Sequence, residues 1–176
     1  MRFTPATLAM AAVLTMVSSV GIGQKPDSDI NPRSLAWQEK GDAARAAGSL
    51  QAATDAYESA LAIDPRNRGA FVALGDVARE QGLQGKALRY YNGALALEPN
   101  DTAALGGVIH AMADKGALTT ARETLARLRA ICRSDCQQTA DLGALLDRKA
   151  TAQAAMSPKD VAAAAADSKA LAQQQP

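Results

Sequence analysis

Residues 34–67 read SLAWQEKGDAARAAGSLQAATDAYESALAIDPRN, and residues 68–101 read RGAFVALGDVAREQGLQGKALRYYNGALALEPND. Laid over one another, they coincide at Gly41 and Gly75, Ala53 and Ala87, Tyr57 and Tyr91, Ala60 and Ala94, and Pro65 and Pro99, always 34 residues apart. A constant interval of this size marks an array in which one supersecondary unit stacks on the next.

Within each unit two helical patterns flank a break, Leu35 to Ala47 then Ala52 to Ile63, and Ala70 to Gln81 then Lys86 to Leu97. Gly48 and Ser49 end the first pattern of unit one, and Gly82 and Gly85 flank the matching turn of unit two, where left-handed backbone is tolerated. Asp64 with Pro65, and Glu98 with Pro99, stop the second helices because proline cannot continue the hydrogen-bonded ladder. A third unit, about 102–133, keeps the register more loosely. Leu105 stands opposite Phe71, Ala121 opposite Ala87, Leu125 opposite Tyr91 and Leu128 opposite Ala94, while Ile109 replaces the small residue of Gly41 and Gly75. An atypical last unit is normal where a cap covers the end of the array. Ser134 and Gln137 form a capping-box pattern for a closing helix over 134–149, which lays Leu142, Leu145 and Leu146 on unit three.

These residues resemble the tetratricopeptide repeat family, whose 34-residue unit carries W-x2-L-G-x2-Y, then a spaced Ala, aromatic, Ala and Pro. The likeness covers about 34–131, with Trp37, Gly41, Ala53, Tyr57, Ala60 and Pro65 in unit one and Phe71, Leu74, Gly75, Ala87, Tyr91, Ala94 and Pro99 in unit two. It implies an all-α, right-handed superhelical solenoid of about three helix-turn-helix repeats with a closing helix. In such a fold the small residues let paired helices approach, and Trp37, Phe71, Tyr57, Tyr91 and Leu125 fill the gaps between hairpins. Lys40 departs from the family's leucine, and Ala44 and Ala78 from its large aromatic, which implies thinner packing.

Family members hold peptides or proteins on the concave wall made by the first helix of each unit. The helical period nominates that wall here as Gln38, Asp42 and Arg45, then Val72, Asp76 and Arg79, then Gly106, His110 and Asp114. Asp42 and Asp76 are 34 apart, as are Arg45 and Arg79, so stacking makes a ladder of alternating charge. The plainer alternative is an ion pair inside each helix, Asp42 with Arg45 and Asp76 with Arg79, worth about a few tenths of a kcal/mol. The family's best-known clamp grips an acidic carboxyl terminus with lysines and asparagines, and two aspartates in this wall argue against that ligand.

Hydrophobic residues make up 48% of the 176 residues and aromatics 3%, enough for one modest domain. Lysine plus arginine number 19 and aspartate plus glutamate 18, without long runs of one sign, so no electrostatic footprint for nucleic acid or an anionic membrane is present. One histidine, no nucleophile elbow and no phosphate-binding loop leave no reaction to assign, no cofactor and no metal site. Arg2, the apolar run Leu8 to Val17, and small residues at Gly21 and Gly23 read as a cleaved signal peptide over 1–23, its apolar core being short of the ~20 residues of a span; the alternative is an uncleaved membrane anchor. Cleavage takes away one basic side chain and no acidic one, leaving 18 of each. A disordered linker over 24–30 and an alanine- and glutamine-rich tail over 150–176 bracket the array.

Export implies an oxidising compartment, where Cys132 and Cys136 pair as a disulfide tying the cap to the array; a redox or metal role is the alternative. The loop is small, so its stabilisation falls at the low end of ~2–4 kcal/mol. The reading that results is a non-enzymatic periplasmic adaptor or scaffold, of the kind that resembles exported bacterial proteins, with a protein or peptide in its groove. The alternatives are a self-associating structural protein, or a chaperone-like assembly factor of an envelope complex.

Overall fold

The computed structural model describes residues 29–132 and 137–155. Among the described residues the chain is all helix and turn, with helices α1 (Pro32–Ala46), α2 (Leu50–Ile63), α3 (Arg68–Glu80), α4 (Gln84–Leu97), α5 (Thr102–Asp114), α6 (Leu118–Ile131) and α7 (Gln137–Ala155). Each packs on its sequence neighbours, and α1, α3, α5 and α7 also line up successively, the arrangement of a hairpin solenoid.

The first helix of each hairpin begins earlier than its apolar pattern because a side chain caps it. Asn31 accepts a hydrogen bond from the Arg33 amide, Asn67 from the Ala70 amide, and Asp101 from the Ala104 amide. Each first helix ends the same way: Gly48, Gly82 and Gly116 have φ of 75°, 75° and 76°. Their amides bond to the carbonyls of Arg45, Arg79 and Ala113, and the following amides reach Ala44, Ala78 and Met112. These are three Schellman turns at the repeat interval, and the third shows unit three obeying the same backbone rule as the others.

A buried polar chain joins the first two units: Asn67 Nδ2 donates to Ser34 Oγ at 2.9 Å, and Ser34 Oγ donates to the Ala60 carbonyl at 2.8 Å. Asp64, at the end of α2, accepts from the Asn31 amide and from the Arg66 guanidinium. Those bonds, the Asn31 amide foremost, hold its carboxyl below the usual carboxylate range.

Tyr57 and Tyr91 are fully buried, as are Ala53, Ala60, Ala87 and Ala94. A β-carbon on Gly41 would lie 2.5 Å from Cδ1 of Tyr57, and one on Gly75 would lie 2.6 Å from Cδ1 of Tyr91, so glycine is what admits each ring. In unit three Ile109 and Leu125 occupy the corresponding places, and both are buried. Pro65 and Pro99 lie exposed in the turns between units.

Several expectations change. Trp37 and Phe71 are less deeply enclosed than Tyr57 and Tyr91. Both are half-buried; Phe71 lies over Gly93 of its own hairpin, and the Trp37 ring carries the Lys40 ammonium 4.1 Å from its centroid. Ile30, assigned to the linker, is buried. The closing helix runs on to Ala155, with Leu142 and Leu146 buried against α5 and α6. Its alanine-rich continuation has high intrinsic helix propensity, which extends a helix already anchored by packing. The signal peptide 1–23, the linker as far as residue 28, Ser134 of the capping box, Cys136 and the tail from residue 156 lie outside the described residues.

Candidate peptide-binding groove

The nominated stripe lies along α1, α3 and α5, and the structure assigns its members different work. Gln38 is half-buried against α3, its amide placed where a β-carbon on Gly69 would come within 2.9 Å of Nε2. Val72 packs on the cluster around Tyr91 and Val108. Gly106 faces the Gln138 side chain of α7, so the closing helix completes the wall.

Neither intrahelical ion pair is present. Asp42 accepts a hydrogen bond from Tyr57 Oη at 2.7 Å, and Asp76 accepts one from Tyr91 Oη at 2.7 Å. Burial, then these bonds to an anion, push both phenols above their ordinary range. Arg45 turns instead toward the next repeat, 3.1 Å from Asp76 Oδ2 and 2.5 Å from Glu80 Oε1. The Glu80 bond is the main reason its guanidinium is held above its usual value, against the opposing effect of burial. The side chains are about one third exposed, so each pair contributes of order 1 kcal/mol or less. Their geometric effect is to brace α1 against α3. In unit two the Tyr91 hydroxyl fixes Asp76 where Arg45 of the preceding unit reaches it, so the interhelical brace forms in place of the i,i+3 pair.

The third rung differs. His110 stands where Asp42 and Asp76 stand in the earlier units, and Asp114 where Ala46 and Glu80 stand. Asp114 pairs with Lys149 of α7 at 3.1 Å. His110 is half-buried; burial first, and the Arg79 charge second, lower its pKa from the ordinary 6.5, so the ring is neutral near pH 7. Arg79 forms no ion pair with a described residue, and its Nε is buried without an acceptor. Between α1 and α3 the groove opens into a cleft of about 400 Å³ lined by Asp42, Arg45, Ala46 and Glu80. No group of three or more metal-ligating side chains occurs among the described residues. The helical period does not single out Glu80, Lys149 or the tyrosine hydroxyls; their positions at 35 and 15 residues from their partners are the available signal.

The fold and groove define a class, the helical-hairpin repeat proteins. Residues 35–67 match the family model described as tetratricopeptide repeat, and the same 34-residue unit recurs after them. No curated protein sequence matches the chain. Among solved structures it is similar to the Sgt2 TPR domain from Aspergillus fumigatus, with 22% identity, 73% of this chain and 86% of that chain covered and a TM-score of 0.65. It is also similar to the first TPR of Spaghetti (RPAP3) bound to HSP90 peptide SRMEEVD, with 21% identity, coverage of 66% and 95%, and a TM-score of 0.60. A third is the second TPR domain of human RPAP3 in complex with HSP70 peptide SGPTIEEVD, with 15% identity, coverage of 64% and 94%, and a TM-score of 0.59.

Proposed function

We propose that this chain is a non-enzymatic adaptor that holds a peptide or an extended segment of a protein in the groove lined by α1, α3, α5 and α7. The observation that carries the reading is the polar wall, in which charged side chains pair between α1 and α3 and between α5 and α7 while the apolar core is buried. Solved structures of the same fold carry peptides of Hsp90 and Hsp70, which supports peptide holding as the use of such a wall. The acidic tails of those two peptides do not suit this groove, where Asp42, Asp76, Glu80 and Asp114 outnumber Arg45, Arg79 and Lys149. The test is selection from a random-dodecapeptide display library, followed by NMR titration of the selected peptides. Shifts concentrated on α1, α3 and α5 support the reading, and shifts confined to α2, α4 and α6 overturn it.

The adaptor works in the periplasm after cleavage behind Gly23, and the Cys132–Cys136 disulfide secures its cap. Arg2 and the apolar run of residues 8–17 support export, and Cys132, at the end of α6 and not free, supports the bridge. Amino-terminal sequencing of the chain recovered from an envelope extract should begin at Gln24. Thiol titration of the same material should find none, and two free thiols would remove the bridge.

A further inference from the structure

The repeat register shows which groove charges are internally satisfied and which are not. Arg45 of α1 reaches two carboxylates on the next first helix, Asp76 and Glu80. Moving this interaction along by 34 residues puts Arg79 opposite His110 and Asp114. There the pattern fails twice: His110 is a neutral ring where Asp76 is a carboxylate, and Asp114 is taken by Lys149. Among the described residues Arg79 thus forms no ion pair: its side chain hydrogen-bonds the Tyr91 hydroxyl and lies near the His110 ring, and its Nε is buried without an acceptor.

The opposite defect lies one helix away. Moving the Arg45 interaction back by 34 residues calls for a cation in front of Asp42, and no described residue supplies one. Asp42 is exposed, held by Tyr57, and shares the cleft between α1 and α3 with Glu80. Among the described residues the one cation lining that cleft, Arg45, is already engaged with Asp76 and Glu80.

Resting on the groove reading above, we infer that the ligand is a peptide carrying two charges of opposite sign, a lysine or arginine entering the Asp42–Glu80 cleft and a carboxylate received by Arg79. Neighbouring packed helices lie about 8–10 Å apart, and an extended peptide advances about 3.3 Å per residue, so the two charges stand a few residues apart. Selectivity follows from complementarity. A peptide with the basic group alone leaves Arg79 unanswered, an acidic one meets Asp42 and Glu80, and the reversed order meets like charge at both points.

The probe is a set of synthetic decapeptides of Ala, Leu and Ser holding one Lys and one Glu, one to five residues apart in either order, beside Lys-only and Glu-only controls. Affinities are measured by fluorescence anisotropy at low and high salt, with NMR mapping of the contact face. The expected result is a preferred order and spacing that binds at least ten-fold tighter than either control, with the preference weakened by salt. Asp42→Ala should remove the gain from lysine alone, and Arg79→Ala the gain from glutamate alone. Arg79→Lys should restore part of the latter, with circular dichroism showing each variant folded. Equal affinity for two-charge and one-charge peptides, or no binding by any, overturns the inference. Binding that maps to the groove without charge preference overturns it while leaving the adaptor reading standing, and binding that maps to α2, α4 and α6 overturns both.

Discussion

Replacing Gly75 by alanine tests the physical reason for the glycine interval. The Tyr91 ring is fully buried between two glycines, since β-carbons on Gly75 and Gly107 would lie 2.6 and 2.7 Å from its Cδ1. Carbon contacts relax at about 3.5–4.0 Å, so the ring must retreat by about 1 Å. Backbone closes both faces, and the hydroxyl is tied to Asp76 at 2.7 Å. Overpacking here belongs at the upper end of its usual range, about 3 kcal/mol. Losing the tether adds about 1 kcal/mol, and the better helix propensity of alanine returns about 1 kcal/mol. The expected net loss is about 3 kcal/mol, or a fall in Tm of about 10–15 °C for a domain of this size by differential scanning calorimetry. Gly85→Ala is the control: a β-carbon there meets nothing within 4 Å, so Tm should stay level or rise by about 2–4 °C. The decisive variant is Gly75→Ala in a Tyr91→Leu background, which reproduces the leucine of unit three. With the ring gone, the alanine should be neutral or stabilising. An alanine that costs as much in the Tyr91→Leu background as in the parent, or a single variant melting within about 2 °C of the parent, would refute the packing argument.

Asn67→Ala removes the cap on α3 and the donor to buried Ser34 together, and should destabilise by about 2–4 kcal/mol in urea unfolding. Leu146→Ala, deleting a side chain 1% exposed, should cost about 2–5 kcal/mol by the same measurement if α7 is integral to the solenoid. His110 gives a pH signature: its folded pKa lies below the unfolded 6.5, so the unfolded chain takes up the proton first and stability falls as pH drops below about 6.5. Between about pH 7.5 and 5.5 the parent should lose Tm and His110→Gln should lose less; Asp64, shifted the same way from a lower starting value, acts only below about pH 4.

The fold is legible because the interval of 34 survives at positions where backbone geometry allows few substitutes. Gly116 continues the series of Gly48 and Gly82, yet it is hard to pick out because Ile109, His110 and Leu125 change the side chains around it. Helix starts are less legible, since Asn31, Asn67 and Asp101 cap a polar first turn that an apolar pattern misses by about two or three residues. The stripe from Asp42 to Asp114 can be placed on one wall by helical period alone. Its pairing cannot, because within one helix Arg45 has Asp42 as a plausible partner. That Asp76 and Glu80 win depends on how closely two hairpins stack, which glycine and tyrosine set from behind the wall.

The core and the groove are therefore two sides of one arrangement. In units one and two a tyrosine fills the space over a glycine and extends its hydroxyl to the wall, where it fixes an aspartate; that aspartate in unit two receives the arginine of unit one. In unit three Leu125 fills the space over Ile109 and has no hydroxyl to offer. An aspartate at position 110 would lack its tyrosine anchor, and the neutral histidine in its place leaves Arg79 without an acidic partner among the described residues. The change that makes the closing end of the core fully apolar is thus the one that opens a cationic position in the groove. Restoring the whole arrangement, Ile109→Gly with Leu125→Tyr and His110→Asp, should satisfy Arg79 internally and abolish the preference for an acidic group in the bound peptide.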